Sequence, residues 1–247
     1  GTAYGETVAL SNAIGFVGAP DAGEVYTFST YGGIWSHDAT MTGAGDDDRF
    51  GSALDVQDTV VAIGAPRTSR EAGDDAGAVY VYESGAAGWT RQFTATQTPS
   101  AAGDRFGEGV AIGTDALVGG APGADPSGDA SGAAFVFEAS RGEWPQEGTL
   151  VATDGDADDA FGSSVAVIEG TAVVGAPRDE HPHGQNAGSA YVFFRHAPAW
   201  RQNTKLLPAE GQADAGFGAD VAVFGRSVLV GTAHVEGDPG AGYVFGW

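Results

Sequence analysis

Residues 106–122 read FGEGVAIGTDALVGGAP. An aromatic-Gly pair, Phe106-Gly107, opens this stretch, and Gly120-Ala121-Pro122 closes it, with Gly120 fourteen positions after Phe106. Apolar residues alternate with small or polar ones in between, which is the pattern of a short β-strand. Pro122 cannot donate to a strand ladder, so it belongs at a strand end. The stretch therefore predicts two short strands joined by a tight turn.

The same stretch occurs five times along the chain. Its aromatic residues are Tyr4, Phe50, Phe106, Phe161 and Phe217, and its closing glycines are Gly18, Gly64, Gly120, Gly175 and Gly231. The last closing triplet has changed to Gly-Thr-Ala. Because the fourteen-position offset holds in all five copies, one supersecondary unit is repeated with one backbone geometry.

Each copy contains two more elements. An aromatic, β-branched run follows the closing triplet: EVYTF, AVYVY, AAFVF, SAYVF and GYVF. In the first four copies a Trp comes nine positions after the first aromatic residue of that run, at Trp35, Trp89, Trp144 and Trp200. Each unit therefore reads as four short strands, which we name a to d. The repeated Phe, Tyr and Trp residues are predicted to pack between neighbouring units.

Four-stranded units repeated around an axis form β-propellers of four to eight blades. The predicted fold is therefore all-β, a β-propeller of five four-stranded blades in a single domain, residues 1–247. The predicted repeats span approximately 4–49, 50–105, 106–160, 161–216 and 217–247.

The fifth copy reaches Trp247 where its strand d would begin, so the last blade is predicted to be incomplete. Three arrangements remain open: a three-stranded blade, a strand supplied by a neighbouring chain, or a larger propeller of which this chain is a piece. An unpaired strand edge is a template for β-augmentation. The sequence therefore allows self-assembly through this blade.

The charge balance is strongly acidic. Asp and Glu total 33 against 11 Lys and Arg, the formal net charge is −22, and Lys205 is the only lysine. Such a chain repels itself at low salt and is tolerated in molar salt, where screening is short-ranged. The composition therefore predicts a halophilic protein, with an ordinary acidic secreted protein as the alternative. It argues against nucleic acid as a partner, which needs basic surface. No apolar run approaches 18 residues, so membrane insertion is not expected.

The aromatic-Gly pair followed by Gly-Ala-Pro resembles the FG-GAP repeat of integrin α subunits and of many secreted archaeal and bacterial proteins. The resemblance covers essentially the whole chain. It implies a β-propeller, a location outside the cell or on a cell or virion surface, and a role in adhesion or ligand binding. Integrin-like repeats often carry an Asp-rich calcium loop between strands a and b. Here those turns are short, as at Asp55–Asp58, so calcium sites are not carried over to them.

The loops between strands b and c differ in length and sequence while the frame around them stays constant. The long ones span residues 67–76, 123–131 and 178–187. Variable insertions on one face of a repeat array often form its binding face. The candidate ligand-binding residues are Arg67, Arg70, Asp74, Asp75, Asp125, Asp129, Asp179, His181 and His183. The predicted partner is a protein or a glycan at a cell or particle surface.

The function is predicted to require no cofactor, with Ca²⁺ as the one candidate ion. Asp154, Asp156 and Asp158 alternate before Phe161, as oxygen ligands do in the first half of a calcium loop. The later bidentate Glu of such a loop is missing, and a solvated surface loop is the alternative interpretation. His181-Pro182-His183, beside Asp179, could likewise be a transition-metal site or a surface turn.

No catalytic motif is present: there is no Cys, no Gly-x-Ser-x-Gly elbow and no His-Glu-x-x-His. The sequence therefore favours a non-catalytic binding, adhesion or scaffolding module on the outside of a halophile. One alternative is a structural subunit of a surface filament, envelope or virion, assembled through its open blade. The other is an enzyme acting on polysaccharide, which would need paired carboxylates at the ring centre.

Overall fold

A computed structural model describes residues 4–45, 47–140, 143–182, 184–197, 199–232 and 240–246. These residues form five antiparallel sheets, numbered here as blades 1 to 5 in chain order. Blades 1 to 4 have four strands each, paired in chain order, and blade 5 has three among the described residues. The chain is a β-propeller, as predicted, and in the part that the structure describes its last blade has three strands. In this part of the chain no helix is long and apolar enough to cross a membrane.

The strands follow one another in the order a, b, c, d within each blade. Blade 1 contains β1 (Val8–Ser11), β2 (Ile14–Ala19), β3 (Glu24–Tyr31) and β4 (Ile34–Thr42). Blade 2 contains β5 (Ala53–Gln57), β6 (Val60–Ala65), β7 (Ala78–Gly85) and β8 (Gly88–Ala95). Blade 3 contains β9 (Val110–Ile112), β10 (Ala116–Ala121), β11 (Ala133–Glu138) and β12 (Gln146–Leu150). Blade 4 contains β13 (Ser164–Ile168), β14 (Thr171–Ala176), β15 (Ser189–His196) and β16 (Ala199–Leu206). Blade 5 contains β17 (Asp220–Phe224), β18 (Ser227–Gly231) and β19 (Gly242–Gly246).

The two halves of the sequence repeat meet between blades. A Cβ built on Gly120, at the end of strand b in blade 3, would overlap the carbonyl oxygen of Gly162, which follows the repeat aromatic Phe161 of blade 4. Gly162 itself has a φ of +96°, which favours glycine. The same overlap joins Gly64 to Gly107 and Gly175 to Gly218. Both glycines of the repeat are therefore required by one close backbone contact at each blade junction.

In blades 2 to 5 the aromatic residue of the aromatic-Gly pair fills the space beneath this contact. Phe50, Phe106, Phe161 and Phe217 are fully buried. Phe106 packs edge-to-face on Phe135 of its own blade, with ring centroids 5.9 Å apart. It also shares a core cluster with residues of blade 2 such as Val79 and Val81. This confirms the prediction that the repeated aromatic residues pack between blades for blades 2 to 5. The prediction is wrong for Tyr4 of blade 1, which is 55% exposed because no described blade precedes it.

The Trp at the start of strand d also reaches the preceding blade. Trp89 packs on Phe16 of blade 1, with ring centroids 5.2 Å apart, and Trp144 stacks on Phe93 of blade 2 at 5.6 Å. Trp35 is the equivalent residue of blade 1, and its side chain is 49% exposed. Each blade therefore has a leading face, which packs against the blade before it, and the leading face of blade 1 is uncovered.

The opposite, trailing face is uncovered on blade 5. Val244 is 74% exposed, whereas Val192, at the same position of blade 4, is 1% exposed. Leu229 is 49% exposed, whereas its equivalent Val173 is fully buried. The inner strands of neighbouring blades pack against each other, as β5 packs against β9. Among the described residues, β1 of blade 1 and β17 of blade 5 make no comparable contact. Two apolar blade faces are consequently left open.

Candidate functional site

The long b–c loops lie at the same end of the propeller as the connections from strand d to the next strand a. A repeated backbone ladder joins the two kinds of segment. In blade 2 the amides of Gly103 and Arg105 donate to the carbonyls of Asp74 and Asp75, both at 2.9 Å. The equivalent bonds in blade 3 run from Asp158 to Asp129 and from Ala160 to Ala130, and in blade 4 from Asp214 to Gln185 and from Gly216 to Asn186. The three loops therefore share one backbone frame.

A glycine inside each loop makes this frame tight. Gly73 lies so close to Ala102 that a Cβ on Gly73 would approach the Ala102 Cβ to 2.5 Å. Gly184 and Ala213 form the same contact in blade 4. Sequence reasoning predicted loops that vary. The structure shows that their backbones repeat and that their side chains differ.

The exposed members of the predicted binding set are Arg67, Asp74, Asp125 and Asp129. Asp74 and Asp129 occupy equivalent positions of the frame, where blade 4 has the exposed Gln185. Asp125 uses Oδ1 to accept a hydrogen bond from the Ala130 amide at 2.8 Å, so it also closes its own loop. Asp75 is half-buried and has a positive φ of 52°. These side chains surround one end of the propeller but do not converge on one point.

The Arg70 side chain is hydrogen-bonded to other residues of its own blade. Its Nη2 donates to Gln97 Oε1 at 2.7 Å and to Ser100 Oγ at 2.9 Å. Burial lowers the pKa of its guanidinium, and nearby Asp104 opposes that effect. Arg70 thus fixes the loop 67–76 onto the following connection.

Asp179 is buried and belongs to a charged cluster rather than to the loop surface. It accepts hydrogen bonds from Ser189 Oγ and, at 2.8 Å, from Lys205 Nζ. The same ammonium lies 2.7 Å from Asp154 Oδ2. Burial disfavours the charged lysine, but hydrogen bonds to Asp154 and Asp179 outweigh it and raise the pKa of Lys205. The only lysine of the chain therefore joins blades 3 and 4.

Asp159 lies next to this cluster. Its Oδ2 accepts the Asp156 amide at 2.8 Å, and its side chain is buried. Burial, and then the charges of Asp179 and Asp156, raise the pKa of Asp159 to about 6. Asp48 and Asp104 hold the equivalent position in blades 1 and 2, two residues before the aromatic residue of the next blade, and also accept loop amides. These acids are parts of the frame.

The three calcium candidates have different surroundings. Asp154 is paired with Lys205, which lowers the pKa of Asp154 against the effect of burial. Asp156 and Asp158 are exposed. The described residues contain no group of three or more His, Cys, Asp or Glu that could hold a metal ion. Calcium binding by Asp154, Asp156 and Asp158 stays a prediction.

His181 is half-buried, and its Nε2 lies 2.9 Å from the carbonyl oxygen of Gly188. This contact closes the loop 178–187 on itself. His183 lies outside the described residues, so the predicted pair of histidines is not described as a site.

The central channel has a volume of about 540 Å³ and is lined by the inner strands of blades 2 to 5. Most of its lining is aliphatic, with carboxylates at Asp55, Glu169 and Asp220. Asp55 accepts hydrogen bonds from the amides of Val56 at 2.8 Å and Ile112 at 2.7 Å, and burial raises its pKa. Sequence reasoning missed Asp55. The signal was available, because the other four copies have Ala at this position.

Comparison with protein families agrees with this architecture. The model described as "FG-GAP repeat" matches residues 35–82, 89–137, 144–193 and 200–245. The chain belongs to the FG-GAP repeat family. Each match begins at the Trp of a strand d and ends in the strand c of the next blade. An FG-GAP unit in this family model therefore spans one blade junction, and the two glycines of each Gly–Gly contact fall in consecutive units, as Gly64 and Gly107 do.

Among solved structures, 226 chains are similar to this one. One belongs to a structure described as "Crystal Structure of Mitotic Checkpoint Complex", with a TM-score of 0.57 and 13% sequence identity. The alignment covers 94% of this chain and 59% of that chain. At this identity the likeness concerns the fold alone. No curated protein matches the sequence.

Proposed function

We propose that this FG-GAP propeller is a non-catalytic binding or adhesion module that recognises a protein or a glycan through its long b–c loops. The observation that carries the proposal is the shared loop frame. Equivalent, exposed positions of three rigid loops present different side chains, Asp74, Asp129 and Gln185. A fixed backbone with differing side chains lowers the ordering cost of binding.

Composition and family support a place outside a halophilic cell. FG-GAP repeats are typical of extracellular proteins, and propellers built from them commonly serve in binding or adhesion. A net charge of −22 with a single lysine suits molar salt. The channel supports a non-catalytic role, because both oxygens of Asp55 already accept main-chain amides. A general acid or base would need to reach a substrate instead.

The loop assignment is tested by changing side chains without changing the frame. We expect the triple variant Asp74→Ser, Asp129→Ser, Gln185→Ser to lose at least about 10-fold in affinity, or about 1.4 kcal/mol, for its ligand. Its thermal unfolding should be unchanged because these side chains are exposed. The measurement is binding to an array of neutral, uronate-bearing and sulfated oligosaccharides in molar KCl.

The matched control carries Asp58→Asn and Asp115→Asn. It also removes two negative charges, but from exposed a–b turns at the opposite end of the propeller. Equal loss of binding in both variants would show a general charge effect and contradict the loop assignment. Cleavage of an arrayed oligosaccharide by the wild-type chain would instead favour the polysaccharide-acting enzyme.

A structural subunit is the second candidate, and the uncovered blade faces favour it. Blades 1 to 4 each place a trailing face on the leading face of the next blade. The trailing face of blade 5 thus matches the leading face of blade 1 in another copy. Such head-to-tail contacts produce rings or open filaments.

Assembly of this kind predicts a concentration-dependent mass by light scattering in molar salt. Leu229→Glu, in the exposed trailing face, should shift the protein to a monomer without lowering its melting temperature. Asp220 is also exposed on β17, so Asp220→Asn serves as the control for a charge change. A wild-type protein that stays monomeric at all concentrations would contradict the proposal that it is a structural subunit.

A further inference from the structure

A small pocket at the loop end of the propeller gathers positive charge in an acidic protein. It has a volume of about 190 Å³ and lies where blades 1, 2 and 3 meet. Three of the ten arginines of the chain line it, together with one serine and two glutamates: Arg49, Arg67, Arg105, Ser52, Glu6 and Glu108. Arg67 begins the loop 67–76, so this pocket adjoins the surface to which the proposed function assigns binding.

The repeat shows what occupies the equivalent place one blade earlier. Arg49 directly precedes Phe50, and its guanidinium is bonded to two carboxylates of blade 1. Nη2 lies 2.5 Å from Glu6 Oε1, and Nη1 lies 3.2 Å from Asp21 Oδ1. Glu6 and Asp21 follow Tyr4 by two and seventeen positions. This guanidinium is therefore neutralised from within the protein.

The next junction has the arginine without its acids. Arg105 directly precedes Phe106, as Arg49 precedes Phe50. The residues two and seventeen positions after Phe50 are Ser52 and Arg67. A hydroxyl and a second guanidinium thus replace the two carboxylates. Among the described residues, no carboxylate oxygen lies within 4.0 Å of the Arg67 or Arg105 guanidinium.

The two arginines are held in place by their backbones. The Arg105 amide donates to the Asp75 carbonyl at 2.9 Å, and the Arg67 amide donates to the Asp48 carbonyl at 3.2 Å. Arg105 is half-buried, whereas Arg67 is exposed. Arg67 and Arg105 line the same pocket, and a carboxylate bound between them would offset the repulsion between their like charges. Each guanidinium can hold a carboxylate with two parallel hydrogen bonds.

The rest of the lining identifies the kind of carboxylate. Glu108 is exposed at the pocket edge and can accept hydrogen bonds from hydroxyl groups, which are donors that sugars supply. An acidic protein surface is a poor partner for a chain of net charge −22, because like charges across an interface are unfavourable. A sugar ring with a single carboxylate supplies hydroxyl groups for Glu108 and avoids the repulsion that an acidic protein surface would meet.

We propose that Arg67 and Arg105 form a binding site for the carboxylate of a uronic acid unit of a glycan, with Glu108 accepting its hydroxyl groups. This inference rests on the proposed function and names its ligand class. The two guanidinium groups supply the donors, and the bound carboxylate takes the place that Glu6 and Asp21 occupy beside Arg49. The Ser52 hydroxyl lines the pocket and donates to the Arg49 carbonyl at 2.7 Å.

The test uses glucuronate as the probe, measured by calorimetry or ligand-observed NMR at a salt concentration where the protein is folded. We expect a Kd of about 1–10 mM for the monosaccharide and at least a tenfold loss in Arg105→Gln. Arg226→Gln removes the same charge at an exposed turn of blade 5 and should bind like wild type. Glucose, which has no carboxylate, should not bind.

A second variant supplies a carboxylate to Arg105 from the protein itself. Arg67→Asp places a carboxylate beside Arg105 where Asp21 lies beside Arg49, so it should abolish glucuronate binding while keeping the melting temperature, because Arg67 is exposed. Retention of binding in this variant or in Arg105→Gln would overturn the site. Inorganic sulfate or an acidic dipeptide binding as tightly as glucuronate would overturn the sugar assignment. If glucuronate fails while the loop triple variant still loses array binding, the proposed function stands and only this inference falls.

Discussion

Gly120→Ala is expected to destabilise the propeller by about 3 kcal/mol or more, because an added methyl group would overlap backbone at a blade junction. The overlapping atom is the carbonyl oxygen of Gly162 in blade 4. Backbone atoms cannot rotate away as a long side chain can, so relief requires the two blades to separate. For a chain of this size the loss corresponds to a fall in Tm of roughly 10 °C.

The chain supplies its own control for this change. Gly231 is the closing glycine of blade 5, and the nearest atoms to a Cβ there are those of Asp220, at 3.8 Å. No described blade follows Gly231, so Gly231→Ala should leave the Tm nearly unchanged. Both variants would be followed by thermal unfolding in molar salt. Equal Tm values for Gly120→Ala and wild type would show that the Gly–Gly contact does not hold the blades together.

This pair of glycines explains why so much of the fold could be predicted. The offset of fourteen residues between aromatic and closing glycine fixes strands a and b, and the same offset in five copies indicates one repeated blade. The periodicity did not reveal that the glycine of one copy touches the glycine of the next. That contact lies between blades, and a pattern within one unit cannot show it.

The loop surface was less predictable for the same reason. Arg70 and Asp179 were expected to face a ligand, yet each is held by partners from another part of its blade or the blade before, such as Gln97 for Arg70. Arg105 was not singled out at all. Its significance appears only when its place is compared with that of Arg49, whose acidic partners are 43 and 28 residues away in the sequence. Pairings between blades decide which charged loop residues are free to bind.

Lys205→Met is the second substitution expected to have a large effect. It removes the ammonium that lies 2.8 Å from the buried Asp179 and 2.7 Å from Asp154. The methionine keeps most of the apolar stem, so the loss isolates the charge. Removing one partner of a buried pair leaves an uncompensated charge, which costs about 3 kcal/mol. Arg201→Met removes an exposed cation from the same strand and should cost far less.

The pH dependence of this loss provides a sharper test. The pKa of Asp159 is raised to about 6, above its unfolded value, so this group favours the folded state below about pH 4 and loses that contribution as pH rises through 6. Lys205 opposes the rise in the pKa of Asp159. Without the lysine, that pKa should rise further, and the deficit of Lys205→Met should be larger at pH 8 than at pH 5. A deficit independent of pH would mean that Asp159 takes no part, and that the loss comes from the contacts of the ammonium with Asp154, Asp179 and the Tyr191 ring, whose centroid lies 5.3 Å from Nζ.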